Sequence, residues 1–262
     1  MEAALNLVDR SRSVSARIHH EVYLFDKRLI GSGNYWQQRD GSDLLSRLEL
    51  KIQLGDRTSS LLQVCDGRFL WTKRNLVGEP ELSRVDIDRV LRRLEEAEPD
   101  SLATPQGEWP GLGGLPRLIR ALRDAFEFST PAEPGQWGQA RRPVWRLQGH
   151  WTAKRLAQLL PEQKEAIEAG KPADLSRLPA HLPDQVVVIL GQDDYFPYRI
   201  EYRRTLTDAR PTDAGPHPSR ALVVMQLYDV MLNVPIDPKR FLYSPADLPW
   251  NDETERFLSG LE

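Results

Sequence analysis

The chain has 262 residues, 40% of them hydrophobic, with 35 Lys and Arg against 38 Asp and Glu for a formal net charge of -3. That length suits one large β-rich domain or two ordinary ones, and the slight acidity leaves no basic excess to neutralise a phosphate backbone, which excludes nucleic acid as an expected partner. The single cysteine, Cys65, excludes an internal disulfide, and the longest apolar runs, Val186 to Leu190 and Ala221 to Met225, fall far short of the roughly 18 residues that a membrane-spanning helix needs.

At the amino terminus Met1-Glu2-Ala3-Ala4-Leu5 leads straight into a helical pattern with Leu5 and Val8 at helical spacing, so no signal peptide is read in the chain as given. A β-meander follows. Its clearest strand is Leu48-Glu49-Leu50-Lys51-Ile52-Gln53-Leu54, where apolar and polar side chains alternate and predict one dry and one wet face. Flanking strands are predicted at Ala16 to Lys27, Gly33 to Arg39, Ser60 to Cys65 and Arg68 to Lys73. Gly31, Asp40-Gly41, Gly55-Asp56 and Asp66-Gly67 separate them, the last three as pairs suited to tight hairpins.

The middle of the chain changes character. Ser83 is placed to cap a helix over Arg84 to Glu96, with Asp86 favourable near its positive end. Gly114-Leu115-Pro116 opens a second helix whose Leu115, Leu118, Ile119 and Leu122 form an apolar stripe. The stretches Pro99 to Pro110 and Pro131 to Pro143 read as loops, and Thr152 to Gly170 as helix broken at Pro161. Strands return at Val144 to His150, Gln185 to Leu190, Phe196 to Arg204 and Arg220 to Leu232, followed by an extended Phe241 to Pro245 and a weak helix near Asn251 to Leu258. Without a regular β-α-β alternation, a doubly wound parallel fold is not expected.

Four segments in order resemble the LolA/LolB-like outer-membrane lipoprotein carriers. Gly31-Ser32-Gly33-Asn34-Tyr35-Trp36-Gln37-Gln38-Arg39 is similar to the family's Gly-x-Gly-x-Leu-Trp-x-x-Arg strand, with Tyr35 where leucine is usual. Val64-Cys65-Asp66-Gly67-Arg68-Phe69-Leu70-Trp71 is similar to its Ser-Asp-Gly-x-x-Leu-Trp hairpin. Gly114 to Phe126 matches the helix after the first half of the sheet, and Asn233 with Asp237 to Pro245 resembles the closing Phe-x-Phe-x-Pro segment. The chain is longer than the bacterial carriers, chiefly near residues 76–110 and 152–182.

The resemblance implies a single domain over residues 1–262 with an α+β fold: an open antiparallel β half-barrel, an unclosed barrel whose concave apolar face is covered by helices. It implies a lipid or lipoprotein acyl chain as ligand, transport or sensing without covalent chemistry, and a periplasmic or cell-envelope location if a leader precedes the chain. An acyl chain gains about 0.8 kcal/mol per buried methylene, so a dry face can hold lipid by burial alone. The expected cavity and lid residues are Trp36, Leu48, Leu50, Ile52, Leu54, Phe69, Trp71, Leu115, Leu118, Ile119 and Leu122, together with Arg39. The arginine at the position of Arg39 is implied to gate the lid through hydrogen bonds from its guanidinium to helix carbonyls, a role that suits a planar five-donor group.

Neither a catalytic residue, a cofactor nor a metal site is expected. His19 and His20 are neighbours on a strand and face opposite sides, Cys65 reads as a packed thiol, and Asp193-Asp194 as turn formers. Arg199, Arg203 and Arg204 read as a solvated strand face. The competing function is a protein-binding sensor or scaffold on the same half-barrel, with an envelope protein as partner; a monomer is expected in either case.

Overall fold

The computed structural model describes residues 1–24, 27–54, 57–75, 79–96, 113–206, 219–246 and 248–259. Helix α1 (Glu2–Arg10) buries Ala4, Leu5 and Val8. Six strands follow: β1 (Ser13–Leu24), β2 (Lys27–Asp40), β3 (Asp43–Leu54), β4 (Arg57–Cys65), β5 (Phe69–Asn75) and β6 (Glu81–Asp86). Helices α2 (Ile87–Glu96) and α3 (Gly114–Ala125) separate them from β7 (Phe126–Phe128), β8 (Glu133–Trp137) and β9 (Arg142–Trp151). Then come α4 (Ala153–Leu159), α5 (Lys164–Glu168), β10 (Gln185–Gly191), β11 (Pro197–Thr205), β12 (Ser219–Leu232), β13 (Asn251–Asp252) and α6 (Thr254–Ser259), with short 3-10 turns at Pro161–Gln163, Leu175–Arg177 and Pro238–Phe241.

Among the described residues, thirteen strands form one sheet in the order β13-β6-β5-β4-β3-β2-β1-β12-β11-β10-β9-β7, with β8 paired to β9. The path does not return on itself, so the fold is α+β with an open sheet, as the half-barrel reading requires. The two residues of β13 are an exception to antiparallel pairing: they run parallel to Ser83 and Arg84 of β6. Contacts group the chain into two units, one of Met1–Leu7, His20–Arg28 and Arg120–Gln226, the other of Val8–His19, Leu29–Ile119 and Leu227–Glu262.

Local chemistry sets the turns. Gly41 and Gly67 adopt φ of +59° and +97°, the left-handed conformation that the Asp40-Gly41 and Asp66-Gly67 pairs foreshadow. Gly55-Asp56 and the expected loop Pro99 to Pro110 lie outside the described residues. Gly31 is not a strand break, because β2 runs through it. Gly33 serves the packing of two strands. A Cβ there would stand 1.7 Å from the Glu49 carbonyl oxygen, so β2 approaches β3 as only glycine allows.

Two further expectations are corrected. Ser83 does not cap a helix; residues 81–86 form β6, whose Val85 pairs across to Leu70, and the Asp86 carboxylate accepts the Arg89 N–H at 3.2 Å to start α2. The packing of Leu82 and Val85 outweighs the local capping signal. The expected loop Pro131 to Pro143 contains β8, zipped to β9 from Glu133↔Arg146 to Trp137↔Arg142. By contrast the break at Pro161 is observed, and Thr152 caps α4 by accepting the Arg155 N–H.

Candidate functional site

Directly opposed residues of antiparallel strands share a face, so the pairing of β2 to β6 sorts every side chain. One face carries the rows Gln37–Ser46–Cys65–Leu70–Val85 and Tyr35–Leu48–Gln63–Thr72–Ser83, followed by Gly33–Leu50–Leu61 and Gly31–Ile52–Ser59. The other carries Trp36–Arg47–Val64–Trp71–Arg84.

Helices cover the Tyr35 face at both ends. At the β5–β6 end Cys65, Leu70, Val85, Ile87 and Val90 form a buried cluster against which Phe257 and Leu258 of α6 pack. Burial pushes the Cys65 thiol up to about 11, which leaves it a packed thiol at neutral pH. At the β2 end sits α3. The Leu115 N–H, one of its unpaired first-turn donors, gives a hydrogen bond to Tyr35 Oη at 3.1 Å and to Gln37 Oε1 at 3.2 Å, and the Tyr35 hydroxyl donates to Gln37 Oε1 at 2.7 Å. Burial drives the Tyr35 hydroxyl well above its ordinary pKa, so it stays protonated and able to donate. Gly114 makes the approach possible: its φ is +62°, and a Cβ would stand 2.7 Å from Gln37 Oε1 and 2.8 Å from Tyr35 Oη.

Between these helical ends lie the predicted residues of β3. Leu48 and Leu50 are buried and Ile52 half-buried on the same face; the side chain of Leu54 lies outside the described residues. In α3, Leu115, Ile119 and Leu122 are buried, at spacings that place them on one stripe, with Leu118 half-buried beside them.

The sequence groups Trp36, Phe69 and Trp71 with these residues, but the structure places them on the opposite face. There the segment that runs from the 3-10 turn Pro238–Phe241 to β13 covers them. The Arg240 guanidinium lies 4.3 Å from the Trp36 ring centroid, and Arg47 donates to the Arg240 carbonyl at 3.0 Å. Trp71 meets Tyr243 at 5.6 Å and Trp250 edge-on at 5.4 Å. Arg84 lies over Trp250 at 4.3 Å and Phe69 at 4.4 Å while holding Asp252 at 2.6 Å. Hydrogen bonds from Arg84 and Thr254 hold the Asp252 carboxyl down at about 2.

Arg39 is exposed near the end of β2. Its guanidinium stands 3.7 Å from the Asp9 carboxylate of α1, and its backbone N–H donates to the Arg12 carbonyl. The carbonyl-gathering arginine is a different residue. Arg204 of β11 donates to the carbonyls of Leu182 at 3.0 Å, Leu178 at 3.0 Å and Leu175 at 3.1 Å, securing the segment before β10. Arg199 and Arg203, also read as solvated, both clasp Glu201 at 2.5 Å. Burial alone would raise the Glu201 carboxyl, but these two guanidinium groups outweigh it and hold it below its usual range. Asp194 does shape its turn by accepting the Phe196 N–H, and it also accepts from Tyr198 at 2.7 Å and pairs with Arg142 at 3.2 Å.

Sequence reasoning passed over Tyr35, Gln37 and Arg204. For the first two a signal was present: a tyrosine at the usual leucine position, two residues before a glutamine and so on the same face. For Arg204 none was, since its carbonyl partners lie 22 to 29 residues upstream. Among the described residues, no three His, Cys, Asp or Glu side chains stand together to hold a metal ion, and no helix is long and apolar enough to cross a membrane.

No protein-family model and no curated protein matches the chain. Among solved structures it is similar to a DUF1329 family protein from Desulfovibrio piger (11% identity, 92% of this chain and 95% of that one, TM-score 0.37). It is also similar to a putative outer membrane lipoprotein-sorting protein domain from Vibrio parahaemolyticus (11%, 92% and 94%, 0.35) and to the Mycobacterium tuberculosis lipoprotein LppX (9%, 90% and 94%, 0.41).

Proposed function

We propose that the chain binds acyl chains of lipid or lipidated protein on the Tyr35 face of β3 and β4, as a single-domain, non-enzymatic carrier or sensor of the cell envelope. The observation that carries this reading is the placement of Leu48, Leu50 and Ile52 on one face of β3, between a helix seated on Tyr35 and Gln37 and the α2–α6 cluster. Such a face can take up hydrocarbon at about 0.8 kcal/mol per methylene without any reacting group. Leu48 and Leu50 are closed off from water, so loading requires the cover of this face to open.

Two measurements test the reading. A native mass spectrum of protein purified without detergent should carry adducts of acyl-chain mass, and Ile52→Asp, a change at a half-buried site, should abolish uptake of a fluorescent fatty-acid probe while circular dichroism stays that of the parent. A spectrum free of such adducts, together with undiminished probe uptake by the folded variant, would remove this face as a lipid site. A stoichiometric co-purifying polypeptide in its place would favour the scaffold reading.

A further inference from the structure

The face assigned to lipid is not uniformly apolar. Three of its side-chain atoms are shielded from solvent and have no hydrogen-bond partner in the protein: Gln37 Nε2, Ser59 Oγ and Gln63 Oε1. Strand pairing puts all three on the side of Leu48 and Leu50, and Gln37 and Ser59 are each only 1% exposed. The orientation of the Gln37 amide is set by its neighbours, because the Leu115 N–H can only donate and must meet the oxygen, leaving the NH2 group free. The Gln63 Nε2 reaches Thr72 Oγ1 at 3.4 Å and leaves its oxygen unmatched.

Buried polar groups are almost always paired, and each unpaired one costs about 1 to 3 kcal/mol. Ser59 and Gln63 lie four residues apart on β4, about 13 Å, and Gln37 stands two strands across at roughly 12 Å from Gln63 by strand geometry. Leu48, Leu50 and Leu61 lie on the same face among them. A pure packing surface would carry leucine or alanine at these positions at no such cost.

Building on the lipid reading of this face, we infer that Gln37, Ser59 and Gln63 select a lipid that carries both an acceptor and a donor, an acyl ester or amide with a hydroxyl or N–H beside it, over bare hydrocarbon or an unsubstituted ester. The carbonyl accepts from the Gln37 amide or the Ser59 hydroxyl, and the hydroxyl or N–H donates to Gln63 Oε1. Ligand binding then satisfies groups that the protein leaves unmatched, which is the arrangement that gives strong discrimination between otherwise similar apolar ligands.

The test is displacement of a fluorescent fatty-acid probe from the full chain by three competitors of equal chain length: monooleoylglycerol (ester and hydroxyls), methyl oleate (ester alone) and 1-octadecene (neither). Monooleoylglycerol should compete best and octadecene worst, each step separated by roughly threefold to tenfold, the worth of one hydrogen bond. Ser59→Ala, which removes an unmatched group and so leaves the unliganded protein at least as heat-stable, and Gln63→Leu, which also gives up the bond to Thr72, should each erase about one such step while leaving octadecene unchanged. Equal displacement by all three, or an unchanged ranking in both variants, overturns the inference and leaves the lipid reading in place. Failure of the parent to bind the probe at all overturns both.

Discussion

The two faces of the β2–β6 sheet are buried by different means. On the Tyr35 face the cover is helical, and α3 is seated by neutral hydrogen bonds from Leu115 into a tyrosine and a glutamine that are wholly out of water. On the Trp36 face the cover is largely irregular chain, held by arginines over tryptophan rings and by one ion pair. Neutral bonds in a dry site respond little to salt or pH, whereas partly exposed charges are screened and titrate. The same five strands therefore present one face whose cover is set by geometry and one whose cover is set by charge.

The largest break in this comparison comes at Gly33, on which the Tyr35 face depends for the close approach of β2 and β3. Gly33→Ala must push the Glu49 carbonyl aside and should cost about 3 kcal/mol or more, read as a lowered midpoint in urea unfolding. A midpoint within error of the parent's would mean that the strands separate there without strain.

A smaller effect sharpens the comparison at the α3 seat. Tyr35→Phe alone leaves Gln37 to accept the Leu115 N–H. The double change Tyr35→Phe with Gln37→Leu leaves that donor buried and unmatched, at about 1 to 3 kcal/mol. Hydrogen exchange at the Leu115 amide should accelerate strongly in the double variant and little in the single one, at both low and high salt.

The smallest effect belongs to the Trp36 face. Asp252 titrates at about 2 in place of its ordinary 3.8, so its contribution is fully present above that ordinary value and is lost as pH falls toward the lowered one. Because the carboxylate is substantially exposed, the loss should stay within about 1 kcal/mol. Trp71 and Trp250 should report it as a fluorescence change over that acid range before the far-ultraviolet circular dichroism alters. In Asp252→Asn that early step should be absent.

Much of this was legible in the residues. The alternation from Leu48 to Leu54 specifies a strand with one dry face because successive side chains of a strand point to opposite sides, whatever the rest of the chain does. The Asp-Gly pairs mark turns and the stripe of α3 marks a buried helix side for equally local reasons. Period two also separates Tyr35 from Trp36. What it leaves open is which residues of the next strand share each side, so Trp36, Phe69 and Trp71 could be grouped with Leu48 until the pairings of Trp36 with Arg47 and of Val64 with Trp71 divided them.

By itself, then, the sequence determined the strand from Leu48 to Leu54, the turns at Asp40-Gly41 and Asp66-Gly67, the stripe of α3 and the resemblance, all of which depend on residues within a few positions of one another. Only the tertiary structure decided that Arg39 meets Asp9 while Arg204 gathers the carbonyls, that Ser83 lies in a strand, and that a segment nearly two hundred residues beyond Arg47 covers the Trp36 face. Those outcomes rest on strand register and on partners distant along the chain, and a side chain's hydrogen-bonding capacity does not specify which distant group will come within reach.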